Sequence, residues 1–303
     1  MMQKKKWRNP VLLALAAAIW GFAFVSQSVG MEYVDPFTFN SIRNIIGAVV
    51  LVPVILIGEK RRKKEINNAE QENAKARRTL LIGGLCCGAI LFVSSSAQQI
   101  GIKYTTVGKA GFITALYIVM VPVVSLFFGK KSRPAIWISV ILAVIGFYLL
   151  TMVGESSFTK GDAYVLACAF MFSGQILCVD YFAPKVNNVK LACLQFLVCG
   201  ILSGIVMFIT ENPRLTDIFQ AWIPLLYAGV LSSGVAYTLQ IVGQKDYNPS
   251  VAALIMSLES VFSVLAGWLI LGQTLSPVEA SGCVLIFAGI ILTQLPEEWL
   301  RKR

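Results

Sequence analysis

Apolar stretches long enough to cross a bilayer core, which takes about 20 residues per helix, recur along the chain between short polar breaks. They fall at 10 to 29, 37 to 58, 79 to 101, 107 to 128, 135 to 152, 162 to 181, 190 to 210, 221 to 241, 249 to 271 and 277 to 294. Each predicts one transmembrane helix. The breaks carry turn formers: Asp35-Pro36, Gly154 to Gly161, Glu211-Asn212-Pro213, Asn248-Pro249 and Ser276-Pro277. Such residues stop one helix and start the next. The pattern predicts an all-α polytopic membrane protein of ten transmembrane helices, with no linker that would split off a soluble domain.

Composition agrees. Of 303 residues, 56% are hydrophobic and 14% charged, and mean hydropathy is +0.72, too apolar for a soluble domain. Ten spans consume roughly 200 residues and leave about 100 for connections, which excludes a soluble catalytic domain or a receptor ectodomain. Function therefore sits between the helices. Lys4-Lys5-Lys6-Trp7-Arg8 before an apolar run resembles a signal peptide, with small residues from Ala14 to Ala18. The run continues through Trp20 to Val25, however, which predicts an uncleaved first helix.

The net charge of +10 acquires meaning from its placement. With the N-terminus inside, 21 of the 26 basic residues fall on one side of the membrane: the N-terminal tail, the 59 to 78 loop, Lys130, Lys131, Arg133, Lys185, Lys190, Lys245 and Arg301 to Arg303. The remainder are Arg43, Lys103, Lys109, Lys160 and Arg214. This partition is a positive-inside signal that predicts a plasma-membrane protein with both termini cytoplasmic. Basic residues sorted to one membrane face argue against nucleic-acid binding.

The sequence also repeats itself. Gly129, Pro134 and Gly146 recur as Gly272, Pro277 and Gly289 at an offset of 143, and the same register aligns Ala110 with Ala253, Leu126 with Leu269, Leu142 with Leu285 and Leu149 with Leu292. Gln98 and Gln240 align with a shift of one residue, and Arg43 falls opposite Gln195. A repeat of five helices must enter the membrane upside down in its second copy. The loop with Lys130, Lys131 and Arg133 has an uncharged twin at Gly272 to Pro277, as opposite sides of the membrane require. The expected organisation is two inverted halves, 1–152 and 153–303, a plan that places a binding site near the midplane.

Trp20-Gly21, the Arg43 late in its segment, Ala110-Gly-Phe-Ile-Thr-Ala-Leu-Tyr117 running to Pro122, Leu258-Glu259, and Gly-x4-Pro closing both halves resemble the EamA-type drug/metabolite transporters. The resemblance covers essentially the whole chain. It implies a ten-helix bundle of two inverted halves that moves small metabolites such as amino acids, often outward. The chain departs from the family pattern at Lys130 and Gln273, where an acidic residue is usual, and at Ser260, where proline is usual.

Charges inside spans are the sharpest local signal, since one at the membrane centre costs roughly 2.5 to 3.5 kcal/mol on insertion scales. Glu259 lies mid-span. It reads as a ligand for a substrate amine, as a proton-coupling group, or as a buried carboxylate bonded to a neighbouring helix. Arg43 is about 9 Å deep, against about 15 Å for Glu259. It could hold a substrate carboxylate or pair with Glu259, but its shallow depth favours snorkelling to the interface or capping carbonyls. Lys109, just inside the fourth span, would snorkel or attract anions at an external mouth.

Polar neutral side chains supply a candidate lining: Gln98, Gln99, Thr114, Tyr117, Gln175, Gln195, Tyr237 and Gln240, each of which could instead bond between helices. Trp20 could form an aromatic wall or pack in the core, and Pro122 could kink the fourth helix as a hinge. A zwitterionic or cationic organic solute is the expected ligand, with protons as a further partner if transport is coupled.

There is no histidine, and all seven cysteines lie in predicted spans, where they read as small apolar residues. No P-loop, nucleophile elbow or metal motif appears. These features predict a transporter without cofactor or metal, not an enzyme. The alternatives are a multidrug exporter of the same fold and a non-transporting membrane protein, lipid-modifying or structural.

Overall fold

The computed structural model of the chain describes residues 2–65, 74–105, 107–127, 129, 134–151, 159–271 and 276–294. These are helical almost throughout. The basic cluster Lys130, Lys131 and Arg133, the Gln273 position and the C-terminal Arg301 to Arg303 lie outside the described residues.

The helices are α1 (Met2–Gly30), α2 (Pro36–Glu65), α3 (Ala74–Ile102), α4 (Val107–Ala115), α5 (Tyr117–Phe127), α6 (Pro134–Thr151), α7 (Lys160–Phe182) and α8 (Asn188–Thr210). Then come α9 (Leu215–Gln220), α10 (Trp222–Leu226), a π-helical segment Tyr227–Tyr237, α11 (Thr238–Gln244), α12 (Pro249–Met256), α13 (Leu258–Leu271) and α14 (Pro277–Gln294). Among the described residues, 8 helical stretches are long and apolar enough to cross a membrane. Two shorter apolar helices, Pro134–Gly146 and Ala280–Leu292, occupy the fifth and tenth predicted positions.

The turn formers act as caps. Asn248 Oδ1 accepts from the amides of Ser250 and Val251, with Pro249 in the first turn, where a missing N–H costs nothing. Thr159 and Asp162 close a reciprocal capping box on α7. Asn187 Oδ1 caps α8 through the amides of Val189 and Lys190. At α2 the cap is supplied from far away: Glu211, just past α8, accepts from the amides of Phe37 and Thr38 at 2.8 and 2.7 Å and from the Thr38 hydroxyl at 2.7 Å.

Three of the ten predicted spans are not continuous α-helices. The fourth breaks at Leu116, where Leu116 N–H bonds back to Ile113 O and Val119 N–H to Leu116 O. This tight turn lies six residues before Pro122, which sits inside α5. The ninth breaks at Ser257, with Ser260 N–H on Ser257 O. Serine hydroxyls compete for main-chain carbonyls here: Ser257 Oγ bonds Leu254 O, Ser263 Oγ bonds Ser260 O, and Ser260 Oγ reaches across to Gly111 O at 2.7 Å. Such back-bonding bends helices. The eighth span widens into the π segment, a form concentrated at functional positions.

Packing between helices follows a reciprocal scheme. α1 packs on the π segment, α11, α12 and α13, while α7 packs on α3, α4 and α5; α2 faces α8 and α6 faces α14. The last contact is the most telling. A Cβ at Gly146 would lie 2.6 Å from Gly282 O, and one at Gly289 would lie 2.9 Å from Ser139 O. The offset of 143 that carries Gly146 to Gly289 also carries Ser139 to Gly282, so the two contacts exchange under the sequence repeat. Small residues let the backbones touch at both points.

Candidate functional site

A narrow cavity of about 40 Å³ lies among the central helices, well below the roughly 300 to 1,000 Å³ of open small-molecule sites. α1 contributes Trp20, Phe24 and Gln27; α2 contributes Arg43; α3 Gln98; α4 Thr114; α5 Tyr117; and α7 Phe172, Gln175 and Ile176. The π segment gives Ser232 and Tyr237, α11 Gln240, α12 Met256 and α13 Glu259. The two helix breaks position the key groups. Tyr117 is the first residue of α5 and Glu259 the second of α13, so each follows directly on an interruption.

Glu259 is 5% exposed, and its Oε1 has no hydrogen-bond partner. The Tyr117 phenol stands beside it. Its backbone is held by α1, because Gly21 lets α13 approach until a Cβ there would lie 2.8 Å from Glu259 O and 2.3 Å from Phe262 Cβ. The Trp20-Gly21 pair thus serves both sides of one contact: Gly21 admits α13, and Trp20 lines the cavity. Trp20 packs edge-on against Tyr237 at 4.8 Å between centroids, and Phe196 backs Tyr237 at 5.7 Å.

Arg43 does not snorkel. It is 3% exposed, its Nη1 donates to Gln27 Oε1 at 3.0 Å, and its guanidinium carbon lies 5.9 Å from the centre of the Phe39 ring. Depth counted along one helix favoured the interface; the neighbouring α1 instead supplies a buried acceptor, which keeps the side chain inside. The Arg43–Glu259 ion pair does not form among the described residues. A buried carboxyl group and a buried guanidinium therefore line one cavity without pairing, with Tyr237 near both.

The neutral polar groups are half-satisfied. Gln98 Nε2 donates to Thr114 Oγ1 at 3.3 Å, and Gln240 Nε2 donates to Gln175 Oε1 at 3.1 Å. Gln175 Nε2, Gln240 Oε1, Tyr117 Oη and Trp20 Nε1 have no partner. Buried polar atoms are nearly always bonded; unpartnered ones line this cavity and also occur away from it, at Asn40, Gln99 and Gln195.

Of the residues singled out from sequence, the structure brings Glu259, Arg43, Gln98, Thr114, Tyr117, Tyr237, Gln240, Trp20 and Gln175 to this cavity. It does not bring Gln195 or Gln99. Both are fully buried away from the lining, with unpartnered amides. Pro122 is buried in α5 off the cavity, and the Lys109 side chain lies outside the described residues. Sequence reasoning missed Gln27, Ser232 and the apolar walls Phe24, Phe172 and Met256. Gln27 was detectable as an amide late in an apolar span; the walls carry no signal that separates them from core.

The profile of the EamA-like transporter family matches residues 8–152 and, a second time, 159–295. An uncharacterized transporter of Archaeoglobus fulgidus is 30% identical over 285 residues, spanning 93% of this chain and 84% of that protein. The uncharacterized transporter YoaV of Bacillus subtilis is 23% identical over 283 residues, spanning 90% of this chain and 92% of its own. A solved crystal structure has the same fold, with a TM-score of 0.77 over 97% of this chain and 99% of that one at 18% identity. With both of its halves matched, the apolar multi-helix chain belongs to the EamA-like transporter family.

Proposed function

We propose that the protein is a secondary transporter or facilitator that exports a small organic metabolite across the plasma membrane by alternating access. In this reading the chain makes ten spans in two inverted five-helix halves, 1–152 and 153–303, with both termini cytoplasmic. The reciprocal packing and the exchange of the Gly146 and Gly289 contacts support that relation. Inverted repeats supply two pseudo-symmetric conformations around one midplane site.

One observation carries the reading: a cavity lined from both halves holds a buried carboxylate and a buried guanidinium that do not pair. A protein that only needed stability would not retain them so. Proteoliposomes loaded with a mixed metabolite pool test it. Saturable release that disappears in Glu259→Gln, with the fold intact, is the expected result; no release across a broad panel would sink the proposal. Repeating the measurement under an imposed pH gradient separates a proton-coupled carrier, whose rate follows the gradient, from a facilitator, whose rate ignores it.

A further inference from the structure

By sequence alone the cysteines are small apolar residues; the fold brings two of them together. α3 and α7 run antiparallel, and close approaches fix their register near both ends. A Cβ at Gly83 would lie 2.9 Å from the Phe182 ring, and one at Gly101 would lie 2.4 Å from Val165 Cγ2. Small residues let the two backbones close at these points. One turn beyond Gly83 comes Cys87, and one turn before Phe182 comes Cys178. Their sulfurs are 3.3 Å apart, and both are free thiols. A disulfide sets its sulfurs about 2.05 Å apart, so about 1.3 Å of closure separates the pair from a bond.

The two thiols differ in access. Cys87 is fully buried, whereas Cys178 is half-buried and opens on a groove of about 570 Å³ between α5 and α7. That volume lies within the roughly 300 to 1,000 Å³ of small-molecule sites. Val124, Leu177, Tyr181 and Phe182 make the walls apolar. Gly174 keeps the groove roomy, since a Cβ there would meet nothing nearer than Ile90 Cγ2 at 4.0 Å. Asp180 and Ser125 are the other polar residues of the lining, and Ser125 Oγ is buried without a partner. Buried hydroxyls are nearly always bonded; this one is placed to donate to an oxygen held in the groove.

We propose that the groove takes an organic hydroperoxide, ROOH, such as an oxidised lipid chain, and that Cys178 and Cys87 reduce it. The Cys178 sulfur attacks the terminal oxygen, forming an S–O bond as the O–O bond breaks. The departing RO oxygen, with the Ser125 hydroxyl donating to it, takes the thiol proton and leaves as the alcohol. Cys87 then attacks the sulfenic sulfur; the S–S bond forms, and the displaced hydroxide takes the Cys87 proton and leaves as water. Two thiols and ROOH thus give one disulfide, ROH and water. The new bond ties α3 to α7, and a soluble thiol restores both cysteines by exchange. Hydrogen peroxide gains nothing from apolar walls, so the groove selects the organic oxidant.

The test treats reduced full-length protein in nanodiscs of saturated lipid with equimolar cumene hydroperoxide or hydrogen peroxide, blocks the remaining thiols and identifies the peptides by mass spectrometry. A Cys87–Cys178 disulfide should form ahead of any other thiol oxidation, and dithiothreitol should reverse it. Its rate should be at least tenfold higher with the organic peroxide. Cys86, exposed on the same helix, corrects for the concentration of that peroxide in the bilayer. In Cys87→Ser the reaction should stop at a sulfenic acid on Cys178, which dimedone traps; in Cys178→Ser, Cys87 should stay reduced. Gly174→Leu should slow the organic peroxide tenfold and leave hydrogen peroxide unchanged. If that variant does not fold, the ratio of the two peroxides in the unaltered protein carries the test by itself. Oxidation of Cys86 ahead of the pair, equal corrected rates for the two peroxides, or a dimedone adduct on Cys87 in Cys178→Ser would overturn the proposal.

Discussion

At the end of the bundle where α1 turns into α2, three acidic groups have bonded partners. Glu211 accepts three hydrogen bonds from the first turn of α2, Asp162 closes the α7 capping box and takes the Thr105 hydroxyl, and Asp35 pairs with Lys103 at 2.8 Å. In the central cavity the same chemistry is left open: Glu259 has an unpartnered oxygen, and Arg43 uses one nitrogen on a neutral amide. A saturated carboxylate at a helix N-terminus fixes the fold, since it satisfies orphan amides and opposes the helix dipole. An unsaturated one, buried next to space, contributes no such support. The comparison separates acids saturated by helix ends from the one left open in the cavity, without reference to residue type.

The contrast can be broken in several ways. The largest effect expected is in Glu259→Gln: transport falls to background, while thermal unfolding in detergent is unchanged or shifts upward, because a buried acid without full compensation opposes folding. A large loss of stability there would put Glu259 with the structural acids. Next is Gly21→Val, which drives a side chain into Phe262 and the Glu259 carbonyl. Overpacking of this kind costs about 1 to 3 kcal/mol, so both melting temperature and transport should drop; normal behaviour would mean α1 does not hold α13 in place.

Glu211→Ala should lower stability by about 1 to 2 kcal/mol, as loss of an N-cap does, yet leave the affinity for substrate within about twofold, a change of about 0.4 kcal/mol. Altered selectivity in that variant would dissolve the distinction. The smallest effect is expected at the exposed ion pair, where Lys103→Met should cost no more than about 1 kcal/mol. The Asp35 carboxylate holds the Lys103 ammonium above the ordinary lysine pKa. The contribution is therefore whole below about pH 10.4, the unperturbed value, and is lost only as pH rises through the raised folded value. A stability difference between Lys103→Met and wild type that already varies between pH 6 and pH 8 would contradict this assignment.

How much was legible beforehand differs between these regions. Asn248-Pro249 and Asp35-Pro36 announce helix starts, because capping and proline chemistry are local in sequence. That Glu211, not Asp35, caps α2 was not legible, since the partners are more than 170 residues apart. Most of the cavity's polar set stood out as charges, amides and hydroxyls in otherwise apolar spans, which a membrane tolerates only with a reason. Gln195 stood out equally and lies elsewhere, because periodicity says that a residue is buried but not which neighbour it faces.

Hydropathy and charge asymmetry, read along one chain, determined that this is a multi-helix membrane protein, its motifs resembled the EamA-like family, and Glu259, Arg43 and a set of mid-span polar groups stood out as candidates. Those signals survive in one dimension because lipid punishes polar residues wherever they occur. Tertiary structure alone decided that the fourth and ninth spans break beside Tyr117 and Glu259, that Arg43 turns inward to Gln27, and that the two charges share a cavity without pairing. Each depends on what a second helix offers at contact distance, and sequence spacing does not encode that.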